Sequence, residues 1–250
     1  MAAWFCGKPK SAYGSFRNGG NIVTIIAFHE LLPTLAEDLL RLRSGLPLKP
    51  AAVVLSGGVV ELRPLDLDAD TSRLHEISNG SAQLGAPAYD AEPVLWRYLG
   101  AGPFADEAAM RAFLTNLNAT PNLLPLCVRR RQDGELLGIQ TFMSNSPGDL
   151  KIELGHIWYT PAAQGTGALA DATYLMLDHA FDLGYQRVEW KCNALNERSR
   201  RVALRMGFQF EGVQDAHLIV KNRRRDTAWF RILAGEWPAL KEKFYAAEER

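Results

Sequence analysis

Cysteine is scarce in this chain of 250 residues: Cys6, Cys127 and Cys192 stand far apart and form no CxxC pair. Such spacing spells neither a disulfide framework nor a zinc site. It suggests a reducing, cytoplasmic setting, with Cys127 and Cys192 as small buried hydrophobes on strands. Net charge is lacking as well. Lysine plus arginine equals aspartate plus glutamate, 28 of each, so no global field draws the chain to nucleic acid or to an anionic membrane. Long apolar runs are missing too. The longest near the N-terminus, Ile22 to Phe28, is broken by Thr24 and far too short to span a bilayer. What remains, 47% apolar and 22% charged residues, is the make-up of an ordinary soluble globular protein. Neither a membrane, a nucleic acid nor a bound metal is an expected partner.

Composition changes near residue 58. Residues 1–58 carry scattered glycines and prolines, an apolar patch and one helix-like run, HELLPTLAEDLLRLRSG. Lys8, Lys10 and Arg17 precede the first acid, Glu30, which has a transit-peptide flavour, but arginine is sparse and helical amphipathicity is not evident. These residues read as a loosely attached extension or as the product of a start site placed too far upstream, and residues 59–250 as the main domain. From Val59 the order of elements reads β-α-α-β-β-β-α-β-α-β-β. Its punctuation is physical: Asp106 as N-cap of a helix whose Met110, Phe113, Leu114 and Leu117 share one face, and Asp133-Gly134 at a hairpin. Gly184 and Gly207 stop helices, Asn196 starts one, and NRRR tips a last hairpin. Residues 80–103, rich in glycine and proline around YDAEPVLWRYL, read as a loop with a helical turn. That order describes a mixed α/β domain with hairpins and one parallel crossover.

The stretch TPAAQGTGALAD, residues 160–171, lies between a strand-like run (KIELGHIWYT) and a helix-like one. Glycines at such a junction let the backbone approach an anion, and the N–H groups of residues 165 to 169 are expected to be unpaired donors at a helix N-terminus. A P-loop is excluded, because no lysine lies between Lys151 and Lys191. A dinucleotide site is the closer rival. Gly165, Gly167 and Ala170 spell GxGxxA, and Glu189 follows about twenty residues on. Against it, only 80 residues remain after Ala170, and Glu189 sits inside a strand between Val188 and Trp190.

PAAQGTGA followed by a helix resembles the Q/R-x-x-G-x-G/A motif of the GCN5-related N-acetyltransferases (GNAT), with Gln164 and Gly167 matching and Leu169 where that motif prefers a small residue. RVEWKCNALNERSRRVALRMGF resembles the second half of the same signature: a strand, N-x-x-S, then a helix ending in Gly-Phe. With IELGHIWY upstream and HLIVKNRRRDTAWFRIL closing, the match is nearest to the RimJ/RimL-like branch, over roughly residues 59–238. The resemblance implies a mostly antiparallel sheet flanked by helices, with the N-terminal extension appended. It implies acetyl-CoA as co-substrate, its pyrophosphate on Gln164, Gly165, Thr166, Gly167, Ala168 and Leu169, with Asn196 at the CoA arm. The acceptor it implies is a primary amine, on a protein N-terminus or a small molecule, attacking the thioester directly.

Two catalytic residues follow from the same resemblance. Glu153 matches the glutamate that takes the amine proton, perhaps through water; a strand-edge salt bridge accounts for it as well. Ser199 matches the residue beside the leaving sulfur, and since a thiol of pKa ~8.5 leaves with little help, it positions more than it protonates. An N-cap role explains Asn196 without any ligand. By strand alternation His156 lies opposite Glu153, with Ile152, Leu154 and Trp158, as a packed core histidine. His217 could face the acceptor, and Tyr159 reads as strand-end packing. Arg198, Arg200, Arg201, Arg205 and Arg223 to Arg225 read as a solvated face, some of them candidates for the adenosine 3'-phosphate. Two other readings stay open: an NAD(P)-binding oxidoreductase using the same glycines, and a catalytically idle acyl-CoA sensor.

Overall fold

The computed structural model describes residues 13–18, 21–26 and 34–248, so Cys6 and the first part of the expected helix, 29–33, lie outside the described residues. Two compact units divide the chain, Met1–Glu37 and Asp38–Arg250. In the first, β1 (Tyr13–Asn18) and β2 (Asn21–Ile26) form an antiparallel hairpin with Tyr13 opposite Ile26. The helix-like run is realised as α1 (Glu37–Gly45).

The second unit follows the expected order. It runs β3 (Leu55–Ser56), β4 (Val60–Pro64), α2 (Leu67–Ser78), α3 (Glu107–Ala119), β5 (Leu124–Arg130), β6 (Leu136–Ser146), β7 (Lys151–Tyr159), α4 (Ala168–Asp182), β8 (Arg187–Asn193), α5 (Glu197–Arg205), β9 (Gln209–Val220), β10 (Arg223–Leu233) and α6 (Trp237–Glu248). Eight strands form one sheet in the order β3-β4-β5-β6-β7-β8-β10-β9. Every pairing is antiparallel except β7 with β8, whose crossover is α4. Local chemistry starts the helices, at Asp106 where the sequence indicates and at Asp66 for α2. Asp66 accepts from the N–H groups of Asp68 and Ala69, and Asp106 from that of Ala109 at 2.8 Å. The last hairpin turns on Lys221 and Asn222, both left-handed (φ +48° and +59°), so Arg223 to Arg225 open β10 instead of forming the tip.

Alternation along β5 separates two cores. Leu126 and Val128 join Ile152, Leu154, Leu177, Val188 and Trp190 under α4 and α5, whereas Cys127 joins Leu74, Met110, Leu114 and Trp158 under α2 and α3. Asp171 of α4, buried, ties the helix to the sheet: its Oδ2 accepts from Val59 N at 2.7 Å and Val60 N at 2.9 Å. The 80–103 segment contains a wide helical turn, Glu92–Trp96, anchored by Trp96 Nε1 donating to Ser78 O at 2.8 Å.

One expectation of alternation is overturned. Thr141 pairs with Gly155 and Ile139 with Trp158, so Gln140 alone faces His156 and Ile157: a β-bulge, with His156 left-handed at φ +46°. The extra residue reverses the parity of the strand. Ile152 and Leu154 enter the α4 core, while Trp158 enters the other, and the His156 ring lies 6.4 Å from that of Phe113 on α3. Met143, directly opposite Glu153, also packs on the α2–α3 side. His156 and Glu153 therefore share a face.

Candidate functional site

β7 and β8 pair in parallel only from Lys151↔Arg187 to Leu154↔Trp190. Beyond that point β7 continues to Tyr159 with β6 on its far side, and β8 to Asn193 with β10 on its far side. Two strand edges thus face a gap with their backbone groups unshared between them. Glu153 and Lys191 stand where the strands part.

At the outer end of β7 the glycine turn leads into α4. Gly165 (φ +73°) and Gly167 (φ +81°) are both left-handed, and Gly167 is the N-cap, with no side chain to close the helix start. The expected row of donors is realised with two changes. Thr166 N–H bonds Ala163 O at 3.4 Å and Ala168 N–H bonds Thr166 Oγ1 at 3.2 Å, so these two are occupied. The N–H groups of Gly165, Gly167, Leu169 and Ala170 take no partner among the described residues. Four unshared donors at the start of a fifteen-residue helix are the kind of group that attracts an anion. Gln164 is exposed beside them, while Ala168 is buried. Leu169, the residue larger than the motif prefers, packs its side chain against the α4 core and leaves its N–H outward. The turn also borders a cleft of about 490 Å³ lined by Gly58, Val59, Arg130, Arg131, Gln132 and Thr166.

Inside the gap, Glu153 is 5% exposed. Its Oε2 accepts from Ser144 Oγ at 2.8 Å and meets Lys191 Nζ at 2.9 Å, whereas Oε1, near Gly155, has no hydrogen-bond partner among the described residues. Lys191 also reaches Glu189 at 3.2 Å and lies 4.2 Å from the centre of the Trp229 ring. Burial pushes the Glu189 carboxyl up, but hydrogen bonds and charge from Arg187 and Lys191 win and hold it below the usual carboxylate value. Glu189 is committed to this cluster, and the sheet has one parallel pair, so the doubly wound dinucleotide fold is excluded.

On the other flank, Ser199 in the first turn of α5 accepts from Trp190 Nε1 at 3.0 Å, and Asn196 Oδ1 caps the helix through Ser199 N at 3.1 Å. The Cys192 thiol is raised by burial, against which Ser199 and the charges of Arg225 and Arg200 act. Cys127, the other buried thiol, is raised further by burial and by Asp70. Tyr159 donates to Gln140 Oε1 at 2.8 Å, and burial raises its hydroxyl far above the ordinary value, so it packs, as expected. His217 shares a hydrogen bond with Thr227 Oγ1 at 3.0 Å and stands 5.5 Å from the Trp229 ring.

His156 lines a small enclosed cavity with Trp96, Phe113 and Trp158, and burial first, then Arg225, keeps its imidazole below its ordinary value. Of the arginines on α5, Arg201 pairs with Glu197, and Arg200 donates to Ala194 O at 3.2 Å. Sequence reasoning missed Ser144, Lys191 and Trp229. Only the alternation of Glu189 and Lys191 in RVEWKCN signalled any of them. Among the described residues no cluster of histidine, cysteine and carboxylates could hold a metal, and no helix is long and apolar enough to cross a membrane.

A parallel strand pair thus parts beside an uncapped helix start, leaving two free strand edges next to a row of free N–H donors. The chain belongs to the acetyltransferase (GNAT) domain family, whose model matches residues 60–209. YdaF of Bacillus subtilis, named as a candidate ribosomal N-acetyltransferase, is 30% identical over 110 residues, 44% of this chain and 60% of that one. The ribosomal-protein-serine acetyltransferase of Escherichia coli is 33% identical over 82 residues, 32% of this chain and 45% of that protein. The chain thus spans about half the length of these curated relatives, which fall on the RimJ/RimL-like side of the family. A GCN5-related N-acetyltransferase from Brucella melitensis matches in structure with a TM-score of 0.72 and 36% identity, over 79% of this chain and 86% of its own.

Proposed function

We propose that this chain moves an acetyl group from acetyl-CoA to a primary amine, the N-terminal amine of a protein. The observation that carries the reading is the gap between β7 and β8, bordered at its outer end by the unshared N–H groups of Gly165, Gly167, Leu169 and Ala170. The amide-bearing arm of coenzyme A has donors and acceptors for two free strand edges, and its pyrophosphate has the charge that an uncapped helix start attracts. The relatives' names speak of ribosomal-protein acceptors, which supports a protein amine over a small molecule.

The chemistry needs three things. The amine nitrogen attacks the thioester carbonyl, the carbon–sulfur bond breaks, and the amine's proton must go to a base. Glu153 Oε1 is the proposed acceptor of that proton, directly or through water, because Oε2 is already held by Ser144 and Lys191. Ser199, held by Trp190, is the proposed hydrogen-bond partner of the departing sulfur. Incubation with acetyl-CoA and a heat-treated cell extract, read by mass spectrometry, should show acetyl groups on protein N-termini. Titration should show binding of acetyl-CoA and none of NADH; nicotinamide binding without CoA binding would end this reading.

A further inference from the structure

Beside the gap lies a charge for which the steps above have no use. Arg225, third residue of β10, is half-buried; its Nε is sealed from solvent without a hydrogen-bond partner, and no carboxylate lies within ion-pair distance of it among the described residues. Its electrostatic neighbours are Glu153, His156 and Cys192, one or more from each wall of the gap. The acids there are already engaged: Glu153 by Lys191 and Ser144, Glu189 by Arg187 and Lys191. The rest of the hairpin adds cations. At its tip Lys221 gives its ammonium to Trp96 O at 2.8 Å and Arg224 meets Asp226 at 3.5 Å, while Arg231, farther along β10, is paired with Glu236. The Lys221 bond draws the hairpin tip against the 92–97 segment, whose Trp96 lines the aromatic cavity with His156.

A guanidinium whose Nε is shut off from water, with neither a hydrogen-bond partner nor a paired anion, is unfavourable. The phosphates assigned to the α4 start belong to the sheet face that α4 covers, whereas Glu153 and His156 beside Arg225 lie on the α2–α3 face, so those phosphates are not the missing partner. A carboxylate entering with the acceptor is, and a guanidinium suits it because two N–H groups can bind both oxygens at once.

We propose, resting on the acetyltransferase reading above, that Arg225 is a specificity-determining residue that binds a carboxylate close to the acceptor's amine. The substrate class is then a primary amine with a nearby carboxylate: an acidic second residue in a protein N-terminal sequence, or the α-carboxylate of a free amino acid.

The test is steady-state kinetics of the full chain with acetyl-CoA and three acceptors: a peptide beginning Ser-Asp, the same peptide beginning Ser-Asn, and free serine. The wild-type protein should show a KM for at least one carboxylate-bearing acceptor about tenfold or more below that of the Ser-Asn peptide. Preference for Ser-Asp names the side chain as the source, and preference for free serine names the α-carboxylate. Arg225→Gln should erase the difference, Arg225→Lys should keep part of it, and both should leave the KM for acetyl-CoA unchanged. Equal KM values across the wild-type panel would overturn the inference while leaving the transferase reading intact. So would an equal loss of kcat for all acceptors in Arg225→Gln, which would assign the guanidinium to the reacting oxygen. Absence of transfer to any amine would remove the transferase reading itself, and this inference with it.

Discussion

Lys191 stands between two carboxylates, with Nζ 2.9 Å from Glu153 Oε2 and 3.2 Å from Glu189 Oε2, and with the Trp229 ring 4.2 Å away. One ammonium thus binds β7 to β8 at the point where their hydrogen bonds stop. All three charged side chains are largely buried, at 7%, 8% and 16% exposure for Glu153, Glu189 and Lys191, so removing the cation leaves Glu153 without its ion-pair partner and Glu189 with Arg187 alone. Lys191→Met should cost about 3 kcal/mol of unfolding free energy, measured by urea denaturation. A change under about 0.5 kcal/mol, the size typical of an exposed pair, would show that the cluster contributes little.

Glu153→Gln keeps the size of the side chain and removes the base. Turnover should fall about a hundredfold or more, while acetyl-CoA binding, measured by calorimetry, stays as in the wild type. Turnover at the wild-type rate would transfer the base role elsewhere, and His156, on the same face and held toward its neutral form, would be the next residue to test.

Gly165 is left-handed, and a Cβ built on it meets nothing within 4 Å. Gly165→Ala therefore adds only backbone strain, about 1 kcal/mol, and a methyl group beside the free donors. The dissociation constant for acetyl-CoA should rise about tenfold with a loss of stability near that strain. Unchanged affinity would mean that the phosphates do not bind at this turn.

The pH dependence of stability has a definite sign. Burial, with Arg225 adding to it, lowers the His156 pKa below its ordinary 6.5, and burial does the same for His179. The unfolded chain then binds more protons than the folded one below that value. Stability from these two groups is complete above about pH 6.5 and is lost as pH falls through 6.5 toward the folded values. Thermal melting should give a falling Tm from about pH 7 to pH 5, and His156→Gln should flatten that slope. An equally steep slope in the variant would assign the loss to other groups.

Much of this molecule can be read along its chain. Asp106 and Asn196 start helices because each side chain reaches its own nearby N–H groups, and Gly165 and Gly167 mark the turn before α4 because left-handed backbone favours glycine. The bulge at His156 has no such mark. A left-handed histidine there follows from how β6 and β7 align, and it moved the ring to the face that alternation denies it. Likewise Glu153 read equally well as base or salt bridge, because its partners Ser144 and Lys191 lie on two other strands.

The order of elements, most of the two core faces and the glycine turn were settled by local rules: capping, periodicity and glycine conformation act over a few residues. Where the strands part, which acids are neutralised and that Arg225 is left without an anion were decided only by the tertiary structure. Those are matters of charge and hydrogen bonding across the sheet, between groups as far apart in the chain as Glu153 and Lys191.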